Sequence, residues 1–315
     1  MTDSTLTQSE VMNPEDFFSP WEHQAQGWDE CLKEINELIK LVGARRELVW
    51  RGVSDSSYAL HSSLYRRFIG RNKNPPEEED LVLFEMALLD TSRKRWRFDD
   101  LSALETLAHI QHYGGPTRLL DVSYNPLVAL WFAVEEQRDQ LGEARVDNDG
   151  RLFAFDATDR RIDLDSTWGQ RELPWRRAPN GTWNRGLPVV WRPPSYNVRI
   201  PAQNSAFLIG GVPQVGSGEN SKYRKGPGDG SQAGIWNIDQ VRRATSVVLS
   251  MTSLDRTPQI LAKPTFTIRI GASSKREVRQ ALEEYYGFNA STIYPDLYGL
   301  ARYGANEIDV SGKTP

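Results

Sequence analysis

Leu107-Ala-His-Ile-Gln-His-Tyr-Gly-Gly-Pro-Thr-Arg-Leu-Leu-Asp-Val-Ser-Tyr-Asn-Pro-Leu-Val-Ala-Leu-Trp-Phe-Ala133 sets a helix, a tight turn, a short strand and a second helix in succession. Gly114-Gly115-Pro116 ends the first helix, because glycine takes the turn conformations that close a helix and proline cannot continue one. Thr117 to Ser123 then reads as a strand. Asn125-Pro126 opens the second helix, with the Asn side chain free to cap it and Pro in its first turn. Leu127 to Val134 is apolar all round, which predicts a buried helix. Arg118, Asp121, Ser123 and Tyr124 are thereby held at a strand-to-helix corner, where rigid elements can position a site.

Outward from this stretch, strands and helices mix without regular alternation. Trp28, Leu32, Ile35, Ile39 and Val42 recur at helical spacing, and Gly43 stops that helix. Glu47 to Arg51 reads as a strand, Glu78 to Trp96 and Leu101 to Tyr113 as helices, and Arg151 to Phe155 as a strand. Arg199 to Ile209 is expected as a strand carrying Gln203, and Thr265 to Ile270 as another. Lys275 to Tyr286 reads as a helix and Pro295 to Tyr303 as a turn and helix. The pattern predicts an α+β fold with mixed or antiparallel sheets flanked by helices. Met1 to Pro20 is polar and expected to be flexible, residues 21–304 form one domain, and 305–315 a tail. Within that domain, residues 159–195 form an irregular Trp/Arg-rich insertion and 210–234 a Gly-rich loop.

The 315 residues carry a net charge of -4, which argues against a protein that coats nucleic acid through bulk charge. No apolar run reaches the roughly 20 residues of a membrane span, and the polar start lacks the apolar core of a signal peptide. The single cysteine, Cys31, allows no internal disulfide and fits a reducing cytoplasm. His23, His61, His109 and His112 show no metal-ligand spacing with it, so no metal site is expected.

Arg51 ends an apolar strand, so it must be paired or face a cavity. It is either a clamp on a phosphate or carboxylate, or half of an internal ion pair with Asp121. Asp121 could act as a base or bind a ribose hydroxyl, or pair with Arg51 or Arg118. Ser123 could hydrogen-bond a ligand or help cap the following helix, and no Gly-x-Ser-x-Gly elbow marks it as a nucleophile. His109 and His112 share a helix face, with His112, beside the Gly-Gly turn, the functional candidate. Gln203 needs partners for its amide, from backbone or ligand, and Glu307 is a further carboxylate whose default is solvation. In the insertion, Trp168, Trp175, Trp183 and Trp191 alternate with arginines. Trp175, Arg176, Trp183 and Arg185 are either a stacking platform for a nucleic-acid acceptor or loop packing on the core.

Val49-Trp50-Arg51-Gly52, with Trp in place of Phe, resembles the opening motif of the FRG domain. Ser63-Leu64-Tyr65-Arg66, the Gly114 to Ala133 signature, Arg199-Ile-Pro-Ala-Gln203-Asn-Ser-Ala-Phe207 and Ser291 to Ala301 are similar to later segments of that family, in family order. The same motifs have a more distant likeness to ADP-ribosyltransferases. There an early-strand Arg, a strand with Ser and Tyr leading into an Ala-x-x-Phe-Ala helix, and a later strand carrying Glu or Gln surround NAD. This resemblance implies an ADP-ribosyltransferase-like fold. It also implies that NAD is cleaved as substrate and its ADP-ribose passed to a protein or nucleic acid. Arg51 would hold the pyrophosphate, Ser123 the nicotinamide end, Tyr124 would stack on the ring, and Gln203 would bind the ribose. Gln203 stands where transferases more often have Glu, so the base would come from Asp121, His112 or Glu307. A toxin or antiphage role with a neutralising antitoxin as partner is implied by the same link. Two alternatives stand beside it: a non-catalytic nucleic-acid- or partner-binding module, and a hydrolase using His112 and Asp121. The hydrolase would be an NAD glycohydrolase or a metal-dependent phosphodiesterase.

Overall fold

The structure is a computed structural model that describes residues 12–43, 46–139, 144–177, 183, 185–214, 223–227, 234–255 and 263–304. Its centre is an eight-stranded sheet. In chain order the strands are β1 (Glu22–Ala25), β2 (Leu48–Val53), β3 (Leu120–Ser123), β4 (Gly150–Asp156), β5 (Arg161–Ile162), β6 (Val189–Trp191), β7 (Ser205–Ile209) and β8 (Thr265–Ile270). They lie in the order β1-β8-β4-β2-β3-β7-β6-β5. The two outer pairs, β1 with β8 and β5 with β6, are parallel and every inner pair is antiparallel, so the sheet is mixed as expected.

The join between β2 and β3 is the unusual one. β2 pairs with β4 from Leu48 through Val53, but with β3 only at Trp50 opposite Ser123. Beyond that pair the two halves of the sheet part, and a hollow opens between them.

Helices α1 (Pro14–Phe18), α2 (Gly27–Val42), α3 (Ser63–Asn72), α4 (Glu78–Trp96), α5 (Ala103–His112) and α6 (Pro126–Val134) come first. After them come α7 (Arg199–Ala202), α8 (Ile238–Ala244), α9 (Lys275–Tyr286), α10 (Ala290–Ile293) and α11 (Leu297–Arg302). One sheet face, with Trp50, Leu152, Phe266 and Ile268, buries α2, α6 and α9. The other, with Val49, Val122, Phe153 and Phe155, buries α1 and α8. Asn125 caps α6 by accepting from the Leu127 amide, as the Asn-Pro pair predicts. α6 crosses β2 so closely that a Cβ on Gly52 would lie 1.9 Å from the Ala129 carbonyl, so only glycine fits there.

Four expectations need correction. The chain enters the core from Met12, not after Pro20, because Phe17 and Phe18 are buried and pack edge to face at 5.1 Å. The buried face of α2 runs through Cys31, Ile35, Leu38 and Val42, and Ile39 is exposed. Residues 199–209 do not form one strand: α7 comes first, and Asn204, at φ 46°, turns the chain into β7. Arg118 meets Glu85 and Glu78, not Asp121.

His61 supplies a test of this packing. Its ring is buried and its Nε2 lies 2.9 Å from the Arg242 carbonyl, which the neutral tautomer satisfies by donating. Burial pushes its pKa down to about 4, against about 6.5 in an unfolded chain. The unfolded state therefore binds the extra proton first. The stabilisation is full above pH 6.5 and is lost as pH falls toward 4, by up to about 3 kcal/mol. Urea midpoints measured from pH 7 to 4.5 should show this loss, and His61→Gln should flatten it; an equal slope in the variant would refute the assignment.

Candidate functional site

The hollow between the sheet halves has a volume of about 310 Å3. Arg51 from β2, Asp121 and Ser123 from β3, Gln111 and His112 from the end of α5, and Gln203 after α7 all line it. Phe132, Tyr196 and Tyr294 supply its aromatic walls. Groups far apart in sequence thus meet at one place, because β2 and β3 are neighbours and β7 follows β3.

The Arg51 guanidinium donates through Nη1 to the Asp121 carbonyl oxygen at 2.5 Å, and among the described residues its buried Nε has no partner. Among the described residues no carboxylate lies within ion-pair distance of it, so of the two readings the ion pair with Asp121 is not formed. Burial holds its pKa below the ordinary arginine range, opposed by the Asp121 charge and reinforced by Arg66. The Asp121 carboxylate accepts from Gln111 Nε2 at 2.8 Å through Oδ1. Gln111 is itself fixed by the hydroxyl of Thr117, so a relay from the turn after α5 aims the carboxylate. His112 lies 4.0 Å from Asp296, whose carboxylate is held by Arg199 at 2.6 and 2.7 Å. Burial, then the Arg199 charge, holds the imidazole below its ordinary pKa; it is neutral at pH 7 and able to accept a proton.

Other candidates are already engaged. Ser123 Oγ donates to the Gln203 carbonyl at 2.7 Å and accepts from the Asn125 amide at 2.9 Å. Its hydroxyl is thus used to tie β3 to α7 and to shape the entry to α6. Gln203 donates from Nε2 to the Ile293 carbonyl at 2.9 Å, stapling α10 over the hollow, and Oε1 accepts from Ser205. Tyr124 does not line the hollow: its ring packs on the opposite sheet face, 5.2 Å beneath Arg192. A stacking role for Tyr124 is therefore excluded by the strand's alternation, since it follows Ser123 and faces the other way. Glu307 lies outside the described residues.

Among the described residues, the tryptophans of the Trp/Arg segment pack on the core. Trp175 is 4% exposed and donates from Nε1 to Glu85, and Trp183 stacks on it at 5.6 Å and donates to Glu78. Arg176 and Arg185 remain exposed on the surface. His109 is the packed histidine, stacked at 4.2 Å on Tyr196, which it holds against the hollow. The wall residues Tyr196 and Phe132 and the brace Arg199–Asp296 carried no separate chemical signal. Arg199, Tyr294 and Asp296 do fall inside the quoted segments, which was the available clue. Among the described residues no three His, Cys, Asp or Glu side chains gather to hold a metal ion, and no helix is long and apolar enough to cross a membrane.

Fold and site together define an α+β protein with a hollow, lined by polar and aromatic side chains, at the parting of one mixed sheet. The family model of the FRG domain matches residues 46–141 of the chain. That match contains Arg51, His112, Asp121 and Ser123, while Gln203 and the segments at 199–207 and 291–301 lie beyond it. No curated protein and no solved structure matches the chain.

Proposed function

We propose that the hollow binds the nicotinamide–ribose end of NAD as substrate and that the chain transfers ADP-ribose to a macromolecular acceptor. The observation that carries this reading is the meeting of Arg51, Asp121 and Gln203, from three separate segments, around one cavity with aromatic walls. A guanidinium without a carboxylate partner suits a phosphate, which its planar fork binds bidentately. Phe132 or Tyr196 provides the face for a planar ring, in place of Tyr124.

Cleavage of the nicotinamide–ribose bond sends the bonding electron pair to nicotinamide and leaves an oxocarbenium-like ribose carbon. The Asp121 carboxylate, aimed by Gln111, stabilises that positive charge and takes the proton from the attacking acceptor. Neutral His112 is the second group placed to take it. With water as acceptor the same steps give NAD hydrolysis. A toxic role restrained by a partner would follow from depletion of NAD or modification of an essential acceptor. Toxicity of the expressed chain, abolished by substitution at Arg51, is its expected sign.

Ligand that binds only the folded chain stabilises it by about 2.7 kcal/mol at 100 times Kd, so millimolar NAD should raise Tm by several degrees. Asp121→Asn should keep that shift while losing about 100-fold in NAD consumption. No shift in the wild-type chain would sink the NAD reading.

A further inference from the structure

A second cavity, of about 490 Å3, adjoins the first and shares Arg51, Gly52 and Phe132 with it. Its remaining wall includes Arg66 and the half-exposed ring of Tyr58. Arg66 donates from Nη1 to the His61 carbonyl at 2.5 Å and, among the described residues, has no carboxylate within ion-pair distance. Among the described residues, two guanidiniums with no carboxylate at ion-pair distance thus face one cavity, although like charges at close range repel and only the more distant Asp121 charge acts on both. The acid in that wall, Glu135, accepts from the Tyr294 hydroxyl at 3.0 Å. Burial pushes its pKa above the usual carboxylate range.

We infer that Arg51 and Arg66 form a diphosphate subsite at the boundary of the two cavities, with the outer cavity taking the second nucleoside of a dinucleotide. The assignment deepens the NAD reading and rests on it for the identity of the ligand, but the subsite itself needs only a diphosphate. A cavity on each side of Arg51 matches a molecule with a nucleoside on each side of a diphosphate. Tyr58, exposed at the outer rim, is the ring on which the distal base stacks.

The test is calorimetric titration of the full chain with inorganic pyrophosphate, ADP-ribose and nicotinamide riboside. Arg66→Gln removes the second guanidinium. Tyr58→Glu, at an exposed rim position, places a carboxylate in the wall of the cavity that both arginines line, without touching the core. Both should weaken pyrophosphate and ADP-ribose at least about tenfold, the loss of one charge-assisted contact, and leave nicotinamide riboside unchanged. Wild-type affinity for both diphosphates in both variants would overturn the subsite, as would no binding of either by the wild-type chain. If pyrophosphate binds with this dependence but NAD is neither bound nor consumed, the subsite stands and the NAD reading falls.

Discussion

Arg51→Ala is expected to lower kcat/KM for NAD about 1000-fold, the combined scale of a bidentate charge-assisted contact to the diphosphate and the orientation that contact gives the bond to be cleaved. The fold should survive the change. Among the described residues the guanidinium makes one hydrogen bond, to the Asp121 carbonyl, and no ion pair, so little of that structure depends on it. That carbonyl opens on the hollow, where water can replace the lost donor at a cost of about 1 kcal/mol. Arg51→Lys separates charge from shape: a lysine keeps the positive charge but not the planar fork, and should recover only part of the rate. Rates of nicotinamide release over a range of NAD concentrations, with near-UV circular dichroism as the control for folding, decide the matter. A folded Arg51→Ala chain that works at the wild-type rate would refute the proposed role.

How much of this was readable before any coordinates depends on the range of the interactions involved. α4 and α9 agree with their expected bounds because apolar spacing and local caps define them, such as the reciprocal capping of Glu77 and Asp80. The convergence of Arg51, Asp121 and Gln203 was inferred from motif order, and the hollow brings them together. What failed was orientation and long-range pairing. Ser123 and Tyr124 stand next to each other, and a strand sends neighbours to opposite faces, so both could not serve one ligand. The stretch Arg199-Ile-Pro-Ala reads equally well as extended chain or as a helical turn with proline at its start, and the structure takes the second. The tryptophans of the insertion read either as a stacking platform or as loop packing, because nothing local in the chain shows which carboxylates they meet. Trp175 and Glu85 are 90 residues apart.

That distant contact makes Glu85→Ala the largest expected loss of stability, about 3–5 kcal/mol, the range for breaking a buried ion pair from one side. Glu85 is fully buried on α4, and its two oxygens receive Arg118 Nε and Nη2, each at 2.7 Å, and Trp175 Nε1 at 2.9 Å. Arg118 also lies 4.6 Å over the Trp175 ring and reaches Glu78 at 2.8 Å through Nη1. Removing Glu85 leaves a buried guanidinium with one remaining acid and an indole N–H with no acceptor, in a cluster that water cannot easily enter. The damage should spread through α4, α5 and the tryptophan segment, which share this core. Glu85→Gln should cost less, because an amide oxygen still accepts from one donor, but its N–H groups would face the guanidinium. Urea unfolding followed by tryptophan fluorescence reads the effect directly, since Trp175 and its stacked neighbour Trp183 lie in the affected cluster. A Glu85→Ala chain that keeps its wild-type midpoint would show that Trp175 and Arg118 are not held as described, and would return the insertion to the surface.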